Sequence, residues 1–124
     1  MGNTSFMRKA GLIVGTLSIL CLAQPAFAFG AIAVQGTNGN VGWSHDYGSK
    51  GEAREAALQQ CGPGCKAVLD FWNGCGAYAA DQDGGSTVWG TGIADNASQA
   101  QDTAVSNCES YGGNSCKVRA WGCE

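Results

Sequence analysis

Cys61 to Tyr78 reads CGPGCKAVLDFWNGCGAY, and the fold turns on how this stretch divides. Its first part holds a cysteine, the breaker Gly62-Pro63-Gly64, a second cysteine and the apolar run Lys66 to Trp72. A breaker of that kind ends a helix, and the run after it has the length and composition of a strand. Its second part, Gly74-Cys75 and then Gly76-Ala77-Tyr78-Ala79, repeats an earlier segment, Gly30-Ala31-Ile32-Ala33. One unit closes here and a second opens, with Cys75 as the pin between them.

Outward from that seam the two copies match. Each opening segment leads to a Gly-rich turn, Gly36-Thr37-Asn38-Gly39 in the first copy and Asp83-Gly84-Gly85-Ser86 in the second. Strands centred on tryptophan follow, Val41-Gly42-Trp43 and Val88-Trp89-Gly90, and the tryptophans stand as far apart as the two opening glycines. Strand, Gly/Asn turn and strand is a hairpin signature, and on this spacing Trp43 and Trp89 occupy equivalent positions. A helix comes next in each copy. Ser49-Lys50-Gly51-Glu52 is a capping box, and Asn96-Ala97-Ser98-Gln99 makes the same offer with different residues. Ser49 lies as far from Cys61 as Asn96 does from Cys108. The expected inner faces are small, Ala53, Ala56, Ala57 and Leu58, then Ala97, Ala100, Ala104 and Val105, which lets each axis lie close over a sheet. The helices end at Gly62-Pro63-Gly64 and at Tyr111-Gly112-Gly113-Asn114, and strands Lys66 to Trp72 and Lys117 to Trp121 each finish at Gly-Cys. The predicted fold is α+β: a tandem β-β-α-β duplication with repeats at about 30–75 and 76–123, a largely antiparallel sheet, and two helices packed on one face, stapled by disulfides.

Residues 1–28 read as a cleaved signal peptide. Arg8 and Lys9 precede the apolar run Gly11 to Leu22, Gln24-Pro25 breaks it, and Ala26-Phe27-Ala28 is an A-x-A cleavage signal. The apolar run is roughly a dozen residues, short of the ~20 a spanning helix needs. Stable membrane insertion after cleavage is therefore not expected. A single domain over 29–124 remains, exported to a periplasm or the outside of a cell.

Of seven cysteines, Cys21 leaves with the leader, and Cys61, Cys65, Cys75, Cys108, Cys116 and Cys123 stay. An even number in a short exported chain is a disulfide framework. The repeat proposes Cys61–Cys65, Cys108–Cys116 and Cys75–Cys123. Pairing of neighbours, Cys65–Cys75 with Cys116–Cys123, is the alternative. Charge narrows the partners. Five cations, Lys50, Arg54, Lys66, Lys117 and Arg119, face ten carboxylates, a net charge of −5 after cleavage. An acidic surface without a basic stripe argues against nucleic acid and suits a basic protein partner.

The Gly30-Ala31-Ile32-Ala33 segment, the helix Ala53 to Cys61, Cys75-Gly76-Ala77-Tyr78-Ala79, Trp89-Gly90 and Cys108 together resemble a family of small exported bacterial proteins, domain of unknown function 4189. The resemblance covers Phe29 to Glu124. It implies secretion and a disulfide-bonded domain, and it brings no activity or catalytic residues with it.

Candidate chemistry is sparse. His45 is the single histidine, and strand alternation sends Asp46 to the opposite face, which leaves His45 without an orienting carboxylate. Cys61-x-x-x-Cys65 has neither redox nor zinc spacing. Asp81-Gln82-Asp83-Gly84 begins like a calcium loop but lacks the later ligands, so it reads as a turn. Asp46, Asp70, Asp81 and Asp95 are candidates for a hydrolytic carboxylate pair. No catalytic set, metal site or cofactor is expected. The aromatics are the better lead: Trp43 and Trp89 as an exposed ridge, and whichever of Phe71 and Trp72 leaves the helix-covered face. The function expected is an exported, non-enzymatic protein-binding module, an inhibitor or immunity-like protein. A secreted effector that binds a target on another cell and a small carboxylate-dependent hydrolase are the alternatives.

Overall fold

A computed structural model describes residues 28–124. The signal peptide expected over 1–28 lies, apart from Ala28, outside the described residues, and so does Cys21. Among the described residues no helix is long and apolar enough to cross a membrane.

The elements follow the predicted order: β1 (Phe29–Val34), β2 (Val41–Tyr47), α1 (Lys50–Cys61), β3 (Lys66–Trp72), β4 (Cys75–Asp81), β5 (Trp89–Ala94), α2 (Ala97–Ser110) and β6 (Cys116–Cys123). The fold is the disulfide-stapled α+β duplication read from the sequence, with its antiparallel strands divided into two sheets. Each repeat builds its own, ordered β2-β1-β3 and β5-β4-β6, with the opening strand in the centre. The division follows from the opening strands themselves. Gly30 to Val34 and Cys75 to Asp81 are buried residue after residue, as in strands covered on both faces. Ala31 and Ala33 pack on Ala53, Ala57 and Cys61 of α1. Cys75, Ala77 and Ala79 pack on Ala100, Ala104 and Cys108 of α2. The alternate residues Ile32, Val34, Tyr78 and Ala80 turn the other way and meet in a shared core with Leu69, Phe71 and Ala120. The result is four layers, helix, sheet, sheet and helix, with each helix on the outer face of its own sheet, which corrects the expected single sheet with both helices on one face.

Both helix starts fall where the caps predict. The Ser49 hydroxyl accepts from the Glu52 amide and the Asn96 side chain from the Gln99 amide. The helices ride unusually close to their sheets. A Cβ on Gly42 would lie 2.3 Å from the Ala57 carbonyl oxygen, and one on Gly90 2.4 Å from the Cys108 nitrogen. Glycine at these two strand positions is what lets an alanine-faced helix seat its backbone on the strand. The second helix runs past Cys108 to Ser110, and its cysteine is 8 residues from its partner against 4 in the first repeat.

Strand register corrects one expectation. Val34 pairs with Val41 and Ile32 with Trp43, whereas Ala80 pairs with Trp89 and Tyr78 with Thr91. Trp89 is thus the counterpart of Val41, and Trp43 that of Thr91. The turn between β4 and β5 is longer than that between β1 and β2, which shifts the second hairpin and makes the matched tryptophan spacing a coincidence.

Between the sheets, large side chains face small ones. Phe71 is 2 % exposed. Its ring lies where a Cβ on Gly30 or Gly76 would come within 2.6 Å, and a Cβ on Gly122 within 3.4 Å. Phe71 pairs with Gly30 and Gly122 with Gly76, so one site in the duplication holds a ring in one copy and nothing in the other. The opening glycines of both repeats make room for that ring.

Polar contacts tie the repeats together at both ends of the sandwich. The Tyr78 hydroxyl donates to the Thr37 carbonyl at 2.7 Å, Asn38 Nδ2 to the Asp81 carbonyl at 2.9 Å, and Arg119 Nη2 to the Gly39 carbonyl at 3.0 Å. Burial pushes the Tyr78 phenol up, and Arg119 acts against that. At the opposite end the Asp46 amide donates to the Glu124 carboxylate at 3.0 Å.

Asp81, 3 % exposed, organises the first of these ends. Its Oδ1 accepts from the amides of Ser115 at 3.0 Å and Asp83 at 3.3 Å. The segment that begins like a calcium loop is therefore a turn folded around its own carboxylate. The Ser86 hydroxyl holds the Asp81 carboxyl below its ordinary range, against the effect of burial and helped by the amides of Ser115, Asp83 and Asn114. The stabilisation is present above the unfolded value of about 3.9 and is lost as pH falls through the lower folded value. Asp81→Asn is expected to destabilise the protein at pH 7 and to flatten the fall of its urea midpoint as pH drops below about 4. An unchanged acid slope in the variant would show that Asp81 carries none of it.

Candidate functional site

The structure pairs Cys61 with Cys65, Cys75 with Cys123 and Cys108 with Cys116, the first of the two connectivities considered. Each local bridge fastens a helix end to the start of the following strand. Cys75 and Cys123 are direct cross-strand partners, so the third bridge closes β4 on β6.

Of the four aromatics singled out for a binding surface, Phe71 is corrected: it fills the core between the sheets, and its strand neighbour Trp72 is the one that emerges. Trp72 is 52 % exposed and its ring lies against Phe29 at 6.3 Å. Trp43 and Trp89 are both exposed, at 47 % and 40 %, but in different surroundings.

Trp89 stands between two hollows. One, of about 490 Å³, runs along β5 beneath the end of α2 and is walled by Thr87, Thr91, Asn107 and Tyr111. The other, of about 440 Å³, reaches across to the first repeat and is walled by Val34, Thr37, Lys66 and Val68. Thr87 and Trp89 line both, so the two form one groove divided by the indole. The Trp89 ring rests on Tyr78 at 5.8 Å, and Tyr78 is fastened by its hydroxyl, so the base of the ridge is rigid. Tyr111, the C-cap of α2, is 71 % exposed on the far wall. Sequence inspection names Trp89 but misses Tyr111, whose role depends on where α2 stops.

Trp43 belongs to a corner where β2 meets β6. It lines a smaller hollow with His45, Trp121, Gly122 and Cys123, and its indole stacks on the His45 ring at 5.7 Å and 19°. Here the alternation argument fails. Phe29 pairs with Tyr47 but Ala31 with Ser44, so β2 carries one residue too many and bulges. Asp46 takes up the excess in the left-handed region, φ 66°, which Asp adopts more readily than most residues. The bulge swings its carboxylate back, and His45 Nδ1 lies 2.9 Å from Asp46 Oδ2. Glu124 completes the group by accepting the Asp46 amide on both carboxylate oxygens. Burial pushes the Glu124 carboxyl up; the Asp46 amide works against this and the Asp46 charge with it. The pair is an oriented imidazole, yet His45 and Asp46 are 53 % and 74 % exposed, without the exclusion of water that strengthens acid–base catalysis.

Two of the remaining hydrolytic candidates, Asp70 and Asp81, have structural roles. Asp70 is bound by Arg54 and Lys50 of α1. Asp81 holds its turn. Asp95 is an exposed residue before the α2 cap.

No curated protein and no solved structure matches the chain. Residues 29–123 match the family described as domain of unknown function (DUF4189), and on that match, together with the opening glycine segments and paired cysteines of its two repeats, the chain belongs to this family.

Proposed function

We propose that this is an exported protein-binding module that receives a segment of its partner in the groove divided by Trp89. One observation carries the reading: an exposed, rigidly based tryptophan on the shared wall of two hollows of about 490 and 440 Å³. Such a side chain offers a large apolar contact at little entropic cost, and anchors of this kind dominate interface energetics. Three disulfides hold the surroundings, so little is lost on ordering. The net charge of −5 over 29–124 favours a basic partner. An inhibitor or immunity-like role fits a partner in the same envelope, and an effector role a partner on another cell. Export rests on the signal peptide read in residues 1–28 and on disulfides, which persist in oxidising compartments.

The test is affinity capture with the oxidised protein, its Trp89→Ala variant and a reduced control, from envelope extract and culture medium. The proposal expects one protein retained by the oxidised protein and lost from both others. A protein retained equally by Trp89→Ala, or none retained at any salt concentration, would count against it.

A further inference from the structure

We propose that His45, Asp46 and Glu124 form a binding site for a divalent transition-metal ion, with zinc as the ion of choice. One imidazole nitrogen and two carboxylate oxygens lie within 4.8 Å of one another. Donors sharing a zinc ion at about 2.0–2.2 Å stand roughly 3.4 Å apart, so the group closes on an ion by side-chain adjustments of about an ångström. A nitrogen with two oxygens suits zinc, and is too few and too nitrogenous for calcium.

The donors come from rigid parts of the fold. His45 is held by the stacked Trp43 indole. Asp46 is fixed by the bulge, whose backbone turns its carboxylate towards the imidazole. Glu124 follows Cys123, which is bridged to Cys75, and its amide donates to the Gly74 carbonyl at 2.8 Å. The two repeats therefore supply the ligands jointly: the first gives His45 and Asp46, the second Glu124. An ion here takes the place of the proton between His45 Nδ1 and Asp46, and the imidazole then carries its proton on Nε2. It also offsets the repulsion between two carboxylates at close range. Three protein ligands leave a coordination position for water or for a donor from another molecule.

This site is separate from the Trp89 groove, and its test is independent of any partner. Zinc chloride is titrated into the oxidised protein by calorimetry, while the imidazole resonances of His45, the single histidine, are followed by NMR. The expected result is one ion per chain with a shift of the His45 signals. His45→Ala and Glu124→Gln should each weaken binding at least about tenfold, since even partners outside the first shell are worth 10–100-fold. Asp46→Asn, which keeps a residue able to adopt the left-handed backbone, should do the same. His45 and Asp46 are exposed, and thermal melts without zinc check that the variants fold. Absence of saturable uptake up to about 1 mM zinc would overturn the proposal, as would uptake that leaves the His45 resonances unmoved or survives His45→Ala and Glu124→Gln.

Discussion

Phe71→Ala is expected to lower the unfolding free energy by about 3–5 kcal/mol, the range for a buried phenylalanine. The reason lies in what surrounds the ring. Its neighbours include the bare backbones of Gly30, Gly76 and Gly122, which have no side chains to swing into the space left behind. A cavity that does not collapse carries the full penalty. The same geometry predicts a coupling. Gly76→Ala alone puts a methyl 2.6 Å from the Phe71 ring and should be destabilising. In the Phe71→Ala background that methyl enters the vacated space, and its penalty should fall to that of shifting the Leu69 Cδ2 methyl, which would lie 2.9 Å from it. Urea denaturation of the four proteins in the cycle would give an interaction energy of about 1–3 kcal/mol. Additive effects would place the ring elsewhere.

Removing the Cys75–Cys123 bridge has an effect of similar size. Its partners are 48 residues apart, against 4 and 8 for the local bridges. On the chain-entropy model the long closure is worth about 4 kcal/mol and the short ones roughly 2–3 each. A small domain has about 5–15 kcal/mol in total, so the Cys75→Ala/Cys123→Ala double variant should sit near the edge of folding at 37 °C. Loss of the Cys61–Cys65 bridge should leave a folded protein with a lower midpoint. The Cys75–Cys123 bridge joins the first residue of the central strand of the second sheet to its edge partner, and it adjoins Glu124, whose carboxylate receives the Asp46 amide. Equilibrium urea unfolding of both variants checks the order. A local bridge worth more than the long one would contradict it.

The sequence made the duplication legible because its markers are local. A cap, an alanine stripe, a breaker and a cysteine each act within a few residues, and both caps and both helix–strand staples stand where the residues place them. The division into two sheets was less accessible. Its signal is that Gly30 to Val34 and Cys75 to Asp81 lack any polar alternation until Asp81, which marks strands covered on both sides. Trp43 and Trp89 have equal spacing without equal register, because a longer turn in the second repeat shifts the ladder. Of Phe71 and Trp72, alternation required one to leave the helix-covered face. Phe71 is that residue, but the face it turns to is covered by the second sheet. The His45–Asp46–Glu124 group was hidden for two reasons. A bulge reverses the direction of one side chain, and the third member comes from the far end of the other repeat.

The reading of the protein as a binding module rests most directly on Trp89, and the deciding measurement is the dissociation constant of its captured partner for Trp89→Ala and for Trp72→Ala. Trp72 is the more exposed of the two, at 52 % against 40 %, but it lies outside the residues that wall the groove. A loss of at least about 2 kcal/mol, roughly 30-fold, is expected for Trp89→Ala and less than about fivefold for Trp72→Ala. Equal losses, or a larger one at Trp72, would contradict the groove as the binding site.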